Sequence, residues 1–315
     1  MIEFISDQDA ENTDSYEAYY NSVIVPMVEE DNKLKEHYRS LFWGYFWSIL
    51  FLMTANGLVV LFNVLMHDRP ISYEQLLLVN VVAIVVMFVP IYRYRKIPKN
   101  DILDAFIQFY GGWKHLKNAH VRLVHSPIIP PHESVCASHN VVGRCNKTQT
   151  EVRDTDYYNR GMLGKFSYRR KVSSGVILYM EYEQDFAGTI LLFDRRGFYH
   201  KKKFGDLLSV GDKLQIPAAN YFHIFTDNID FTESMLPSLF FERILDMKEV
   251  FGAKHIYLEI SGNYIRVYFE GARLYFDNYH FWSRKIDKNK FVQLHQKFEQ
   301  IFLFSALVDV LREKL

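Results

Sequence analysis

Two charge-free apolar stretches, Leu41 to Met66 and Leu76 to Tyr92, stand about ten residues apart in a chain whose other segments have an ordinary water-soluble composition. A hydrocarbon core of about 30 Å is crossed by roughly 20 apolar residues as helix, so the first stretch is long enough to span with tilt and the second is near the lower limit. The pair predicts a membrane helical hairpin of two transmembrane helices. A buried hairpin in a soluble core is the alternative, and the length of the first stretch argues against it. Lys33, Lys35 and Arg39 precede the first stretch, Arg93, Arg95, Lys96 and Lys99 follow the second, and Arg69 alone lies between. Seven cations against one predict both termini on the cytoplasmic side, with the loop His67 to Gln75 outside. Phe42, Trp43, Tyr45, Phe46 and Trp47 at one end, and Tyr92 and Tyr94 at the other, suit a half-wet interface. Thr54, Asn56, Asn63 and Asn80 read as helix–helix hydrogen-bonding groups or a homo-oligomer contact, because two helices cannot enclose a conduit.

The 315 residues leave room for one or two further domains. A formal net charge of zero argues against a dedicated nucleic-acid binder. Two cysteines cannot form a disulfide framework and fit a reducing compartment. Residues 1 to 32 hold nine acidic side chains and no Lys or Arg, which predicts a tail mobile at its start. That segment has neither the basic n-region nor the apolar core of a secretory signal, so the first span is expected to act as its own insertion signal.

Pro26 suits a first helical turn, and Met27 to Ser40 is expected to lead as helix into the first span. After Pro98, Ile102, Leu103, Phe106, Ile107 and Tyr110 share one helical face; Gly111 and Gly112 interrupt it before Trp113 to Leu123 resumes. Ser126 to Glu133, with Pro127, Pro130 and Pro131, is a connector. From Val135 the pattern turns β-prone. Strands are expected at Val176–Glu183, Gly188–Phe193, Leu214–Ile216, Phe222–Phe225 and Arg273–Phe276, with a helix from Glu233 or Ser234 to Val250. Ile256, Leu258 and Ile260, then Ile265, Val267 and Phe269, alternate with Tyr257, Glu259, Arg266 and Tyr268 around Gly262-Asn263, which predicts a hairpin with one buried face. Phe291 to Leu311 forms an apolar terminal helix. The domains are therefore 1–40, an acidic tail and leader helix; 41–92, the hairpin; 93–134, juxtamembrane helices and connector; and 135–315, a cytoplasmic α+β domain with antiparallel strands and a C-terminal helix.

His115, His120, His125, His132 and His139 crowd a window that also holds Cys136 and precedes Cys145. His132, Cys136, His139 and Cys145 are zinc-type ligands in number, but their spacing matches no finger, so no metal and no cofactor is expected. Lys201, Lys202 and Lys203, with Arg93, Arg95, Lys96 and Lys99, are candidate membrane-surface contacts. Arg169-Arg170-Lys171, with Arg195-Arg196 nearby in sequence, offer the same contact to anionic lipid, but solvated turns between strands are the favoured reading of the basic runs, since Asp194-Arg195-Arg196-Gly197 is turn chemistry. The sequence has no GxxxxGK[ST], HExxH or GxSxG, and Gly161 to Gly164 is a lone GxxG. Asn146-Lys147-Thr148 matches a glycosylation sequon that cytoplasmic placement leaves idle.

Phe186-Ala187-Gly188, the run FHIFTD from Phe222 to Asp227, Leu236-Pro237 followed by Phe241-Glu242-Arg243-Ile244, and Gly262-Asn263 are the points at which the chain resembles a bacterial family known as domain of unknown function 3137. The family usually has a hydroxyl residue where Leu236 stands. The resemblance covers most of the chain and implies a bacterial inner-membrane protein; it brings no catalytic or ligand-binding residue. The expected partners are the lipid bilayer and a membrane protein or a second copy, with no nucleic acid. The function expected is a binding or scaffolding module at the cytoplasmic face of a membrane complex, ahead of a membrane-anchored enzyme and a metal-dependent sensor.

Overall fold

The computed structural model describes residues 15–66, 73–97, 102–116, 126–145, 148–163, 166–197, 204, 207–210, 220–274, 281–282, 285 and 288–313. The chain divides into two compact units, residues 1–106 with 277–286 and residues 107–276 with 287–315. The first is built on two long apolar helices and the second on an antiparallel sheet with a C-terminal helix.

In the helical unit, one long helix starts at Ser15 and continues through α1 (Val25–Met66). It begins before Pro26, not at it, because Tyr16, Tyr20 and Ile24 are buried and hold the preceding turns in place. The Tyr16 ring meets Phe106 edge-on, and Tyr19 OH donates to the Ala105 carbonyl at 2.7 Å. Proline lacks an N–H and crowds the carbonyl four residues back. The helix absorbs this in a π-helical turn at Tyr20–Ile24, where Val25 N–H bonds to the Tyr20 carbonyl five residues earlier. The second long helix, Glu74–Lys96, comprises α2 (Tyr73–Met87) and α3 (Val89–Lys96). Pro90 causes the break between them at Phe88. Asn56 Nδ2 donates to Asn80 Oδ1 at 2.9 Å across α1 and α2, whereas Thr54 and Asn63 donate to carbonyls of their own helix. None of the most apolar window of the first helix and only 6% of that of the second is buried. Phe42, Tyr94 and Phe281 close one end as a buried aromatic cluster, with Arg39 Nε donating to the Phe281 carbonyl at 2.8 Å.

The sheet unit follows α4 (Ile102–Gln108). Its strands are β1 (Lys114–His115), β2 (Ser134–Cys145), β3 (Thr148–Leu163), β4 (Phe166–Glu181), β5 (Ile190–Asp194), β6 (Leu208–Ser209), β7 (Phe222–Thr226), β8 (His255–Ser261) and β9 (Tyr264–Glu270). They pair antiparallel in the order β1-β2-β3-β4-β9-β8-β5-β7-β6. Among the described residues three helices accompany the sheet: α5 (Ile229–Met235), α6 (Ser238–Val250) and α7 (Lys288–Arg312). Ile256, Leu258, Ile260, Ile265, Val267 and Phe269 are all buried, as their alternation predicts. On their face of the sheet Phe251 stacks on Phe269 at 4.2 Å and Phe222 meets Phe241, while Phe240 joins Phe304 of α7.

The other face is not open to water, which corrects the one-face reading. Ile128, Ile129, Tyr157, Ile177, Leu191, Phe193, Phe225, Tyr257 and Tyr268 form a second buried cluster, so the Pro-rich connector is a lid on the sheet. Glu259 is buried there too: Arg266 Nη1 donates to its Oε2 at 2.6 Å, Ser126 Oγ to the same oxygen at 2.5 Å, and Tyr264 OH to its Oε1. The helix expected to resume at Trp113 is replaced at Lys114–His115 by an edge strand, because Gly111 and Gly112 adopt left-handed φ of 58° and 68° and turn the chain. The single helix expected up to Val250 is two, since Pro237 cannot donate and pushes Leu236 out of helical geometry. Arg273 and Leu274 are not a strand; the Leu274 N–H bonds to the buried carboxylate of Asp154 at 2.6 Å. Leu214–Ile216 lies outside the described residues.

Leu258→Ala is expected to cost about 2 to 5 kcal/mol by leaving a cavity. Glu259→Ala should cost a comparable amount, about 3 to 5 kcal/mol, because it strands the Arg266 guanidinium without its counter-charge. Hydrogen exchange of the β8 and β9 amides in the full chain measures both; slow exchange retained in Glu259→Ala would mean that Arg266 reaches water.

Candidate functional site

Three of the polar clusters among the described residues of the sheet unit bring ionisable groups and hydroxyls together. At the first, Thr148 opens β3, β4 ends at Glu181, and the last turns of α7 bring Asp309 and Arg312 alongside. Together with Tyr182, Glu183, Gln184 and Glu313 they line a cleft of about 460 Å³. Arg312 lies over the rings of Tyr182 and Phe186 at 4.5 and 5.0 Å and donates to the Gln184 carbonyl. Thr148 Oγ1 donates to Asp309 Oδ1 at 3.4 Å. Burial, and then the charge of Asp309, push the Tyr182 phenol well above its ordinary range, so it stays protonated. The cleft offers hydrogen bonds and a stacked guanidinium to a polar ligand; among the described residues its lining contains no cysteine, serine or histidine to act as a nucleophile–base pair.

The second place is Asp194, at the end of β5. Lys248 from α6 donates to its Oδ2 at 2.5 Å, His255 Nδ1 stands 3.6 Å from that oxygen, and Arg196 N–H donates to Oδ1 at 3.0 Å. These contacts pin the turn expected at Asp194-Arg195-Arg196-Gly197. The third is a chain of hydroxyls: Ser173 Oγ lies 2.6 Å from Tyr268 OH, and Ser173 and Tyr257 OH both donate to Glu270. The Glu259–Arg266 and Asp194–Lys248 pairs were not anticipated from the residues alone. For the first a signal existed, since Glu259 and Arg266 are placed opposite each other by the Gly262-Asn263 turn.

The four metal-type residues do not converge. Cys136 and Cys145 lie at opposite ends of β2, roughly 30 Å apart at the rise of an extended strand. Cys136 is exposed and Cys145 buried, and burial pushes the Cys145 thiol up to about 12, which keeps it protonated. His132 Nδ1 lies 2.9 Å from the Pro130 carbonyl and its ring packs on Tyr157, while the ring of His139 is 5.5 Å from that of His115. Among the described residues no three His, Cys, Asp or Glu side chains are grouped as metal ligands. Arg93, Arg95 and Lys96 are exposed in the last turn of α3, with Lys96 over the Tyr92 ring at 4.6 Å. Lys99, Lys201, Lys202 and Lys203 lie outside the described residues. Arg169, Arg170 and Lys171 are in the extended strand β4, not in a turn, because β4 pairs with β3 as far as Leu163↔Phe166.

Burial raises the Asp194 carboxyl, but the Lys248 hydrogen bond and charge, the Arg196 N–H and His255 outweigh it and hold it below its ordinary 3.8. A depressed carboxyl adds stability that is complete above the unfolded value and lost as pH falls through the lower folded one. Lys248→Met should therefore move the acid limb of sheet-unit unfolding to higher pH, read from thermal melts between pH 3 and 6, roughly the range in which carboxylates titrate. An unmoved limb would show that Lys248 does not set the charge of Asp194.

No family model matches the chain, and no curated protein does. Among solved structures it is similar to the crystal structure of the mycobacterial trehalose monomycolate transport factor A, TtfA, at 9% identity and a TM-score of 0.31, over 56% of this chain and 76% of that one. A likeness of that size carries no activity from one chain to the other.

Proposed function

We propose that the chain is a two-pass membrane protein of the bacterial inner membrane, whose sheet domain works in the cytoplasm by binding, as a scaffold for a membrane-protein partner or a second copy. The observation that carries this reading is the unburied apolar surface of the two long helices. A core helix of a soluble protein is covered by its neighbours, yet Phe51 is 78% exposed, Leu65 69% and Val85 64%. That continuous surface far exceeds the few hundred Å² of apolar patch tolerated in water. The Asn56–Asn80 bond supports it, since polar side chains inside a bilayer find partners on a neighbouring helix. The orientation is supported by seven cations against one at the helix ends, and the bacterial placement by the resemblance to the domain 3137 family. Binding is favoured over catalysis because the polar groups of the sheet domain are spent on one another: Glu259 on Arg266, Asp194 on Lys248, Glu270 on Tyr257.

Two measurements test the reading. The chain should remain in membranes after alkaline carbonate extraction. With Cys136 and Cys145 replaced by serine, a cysteine at Ser72 should react with an impermeant maleimide from outside the cell, and one at Ser283 only after permeabilisation. Outside labelling at position 283 would reverse the topology; release by carbonate would remove the anchor.

A further inference from the structure

The connector between β9 and α7 belongs in part to the helical unit, since residues 277–286 group with residues 1–106. Three contacts fix its described residues on the end of α1. Phe281 is buried between Phe42 and Tyr94, with ring centroids 5.9 and 5.5 Å away; Arg39 Nε donates to its carbonyl; and Lys285 pairs with Glu36. Ser283 and Arg284 lie outside the described residues. Trp282 meets Phe42 edge-on at 5.0 Å and Phe281 at 4.7 Å, yet it is 56% exposed. The buried Phe281 accounts for the docking of the connector; it does not account for a large indole left outside.

Tryptophan is on average a well-buried residue, and of the four in this chain Trp113, in the sheet unit, follows that rule at 5% exposure. The other three, Trp43, Trp47 and Trp282, are all exposed, and all belong to the helical unit. The helix α1 sets the level of Trp282. Phe42, on which it packs, is the second residue of the charge-free run that starts at Leu41, so the apolar run begins where Trp282 stands. Glu36, with Lys285 on it, lies about 9 Å further back at the rise of a helix. Arg93 and Arg95 stand exposed on either side of Tyr94, which shares the buried cluster with Phe42. Cations, exposed indoles and the first apolar residues thus meet at one level. That is the composition of a bilayer interface, where the apolar body of an indole reaches the acyl boundary and its N–H stays wet. Continuity selects the occupant: what covers Trp43 and the turns of α1 after it reaches Trp282 at the same height.

We propose that Trp282 is an interfacial membrane contact, its ring lying in the headgroup region at the level of Trp43, so that the connector between β9 and α7 is tied to the bilayer as well as to α1. The inference rests on the two-pass reading and deepens it. The test uses the full chain carrying Trp43→Phe, Trp47→Phe and Trp113→Phe, which leaves Trp282 as its one tryptophan. The chain is reconstituted into vesicles of phosphatidylcholine and phosphatidylglycerol. Part of the phosphatidylcholine carries bromine either near the carbonyl or near the end of the acyl chain, and iodide is equilibrated on both sides as the aqueous quencher. The expected result is blue-shifted emission that loses most intensity to shallow bromine, less to deep bromine and least to iodide. Should the loss of Trp113 unfold the sheet unit, as circular dichroism would show, the same quenching is read as the difference between the native chain and Trp282→Phe, which keeps a ring on Phe42. Quenching by iodide and not by bromolipid, in a chain that resists carbonate extraction, overturns the Trp282 contact and leaves the two spans intact. Protection from both quenchers overturns it in favour of a protein partner or a second copy seated on the ring. Bromolipid quenching in a chain that carbonate releases removes the spans and keeps the contact.

Discussion

The register of the β8–β9 hairpin is the constraint on which the sheet unit depends. Gly262 takes a φ of 53°, and the turn it makes with Asn263 sets Ile260 opposite Ile265, Leu258 opposite Val267 and Glu259 opposite Arg266. The hairpin sits in the middle of the sheet: β9 carries the β1–β4 meander on one side and β8 carries β5, β7 and β6 on the other. A slip of one residue would move every side chain to the opposite face. Here that would place Glu259 and Arg266 against the helices and Leu258 and Val267 under the connector, in both cases against the wrong chemistry.

Both faces of the sheet are dry at its central strands β5, β8 and β9, and this decides the character of the polar groups buried there. Fully burying a Leu, Ile or Phe is worth about 1.5 to 3 kcal/mol, and the helix face gathers many of them. The second face mixes aromatic rings with Glu259, Arg266, Ser173 and Glu270, each hydrogen-bonded within the unit. Pairs of this kind add specificity more than net stability, since desolvation consumes most of the attraction. From Asn159↔Arg170 to Leu163↔Phe166 the pairing of β3 with β4 runs past both neighbouring strands.

In the helical unit, proline and asparagine play opposite parts. Pro26 and Pro90 each remove a backbone bond, and the helices answer with a π-helical turn and a one-residue break. Neither proline ends its long helix, because buried side chains hold the axis: Tyr16, Tyr20 and Ile24 ahead of Pro26, and Tyr94, packed with Phe42 and Phe281, after Pro90. Asn56 and Asn80 add the one polar link described between the apolar faces of α1 and α2.

The residues alone determined the two long apolar helices, the β8–β9 turn and register, the terminal helix and the turn at Asp194, because each is set by local chemistry: an unbroken apolar run, a glycine that accepts positive φ, a helical period, an Asp beside a Gly. They also indicated Asn56 and Asn80 as helix-pairing groups. What only the tertiary structure decided depends on partners distant in the chain. Alternation along β8 and β9 says which residues share a face but not whether the other face is wet; the connector at Ser126 to Pro131 settled that by folding over it. Gly111 and Gly112 could have interrupted a helix or ended it, and the choice fell to β2, which accepts Lys114–His115 as an edge strand. Arg169 to Lys171 carry the composition of a solvated turn and became strand because β3 runs long enough to pair with them, a long-range match that no local window contains.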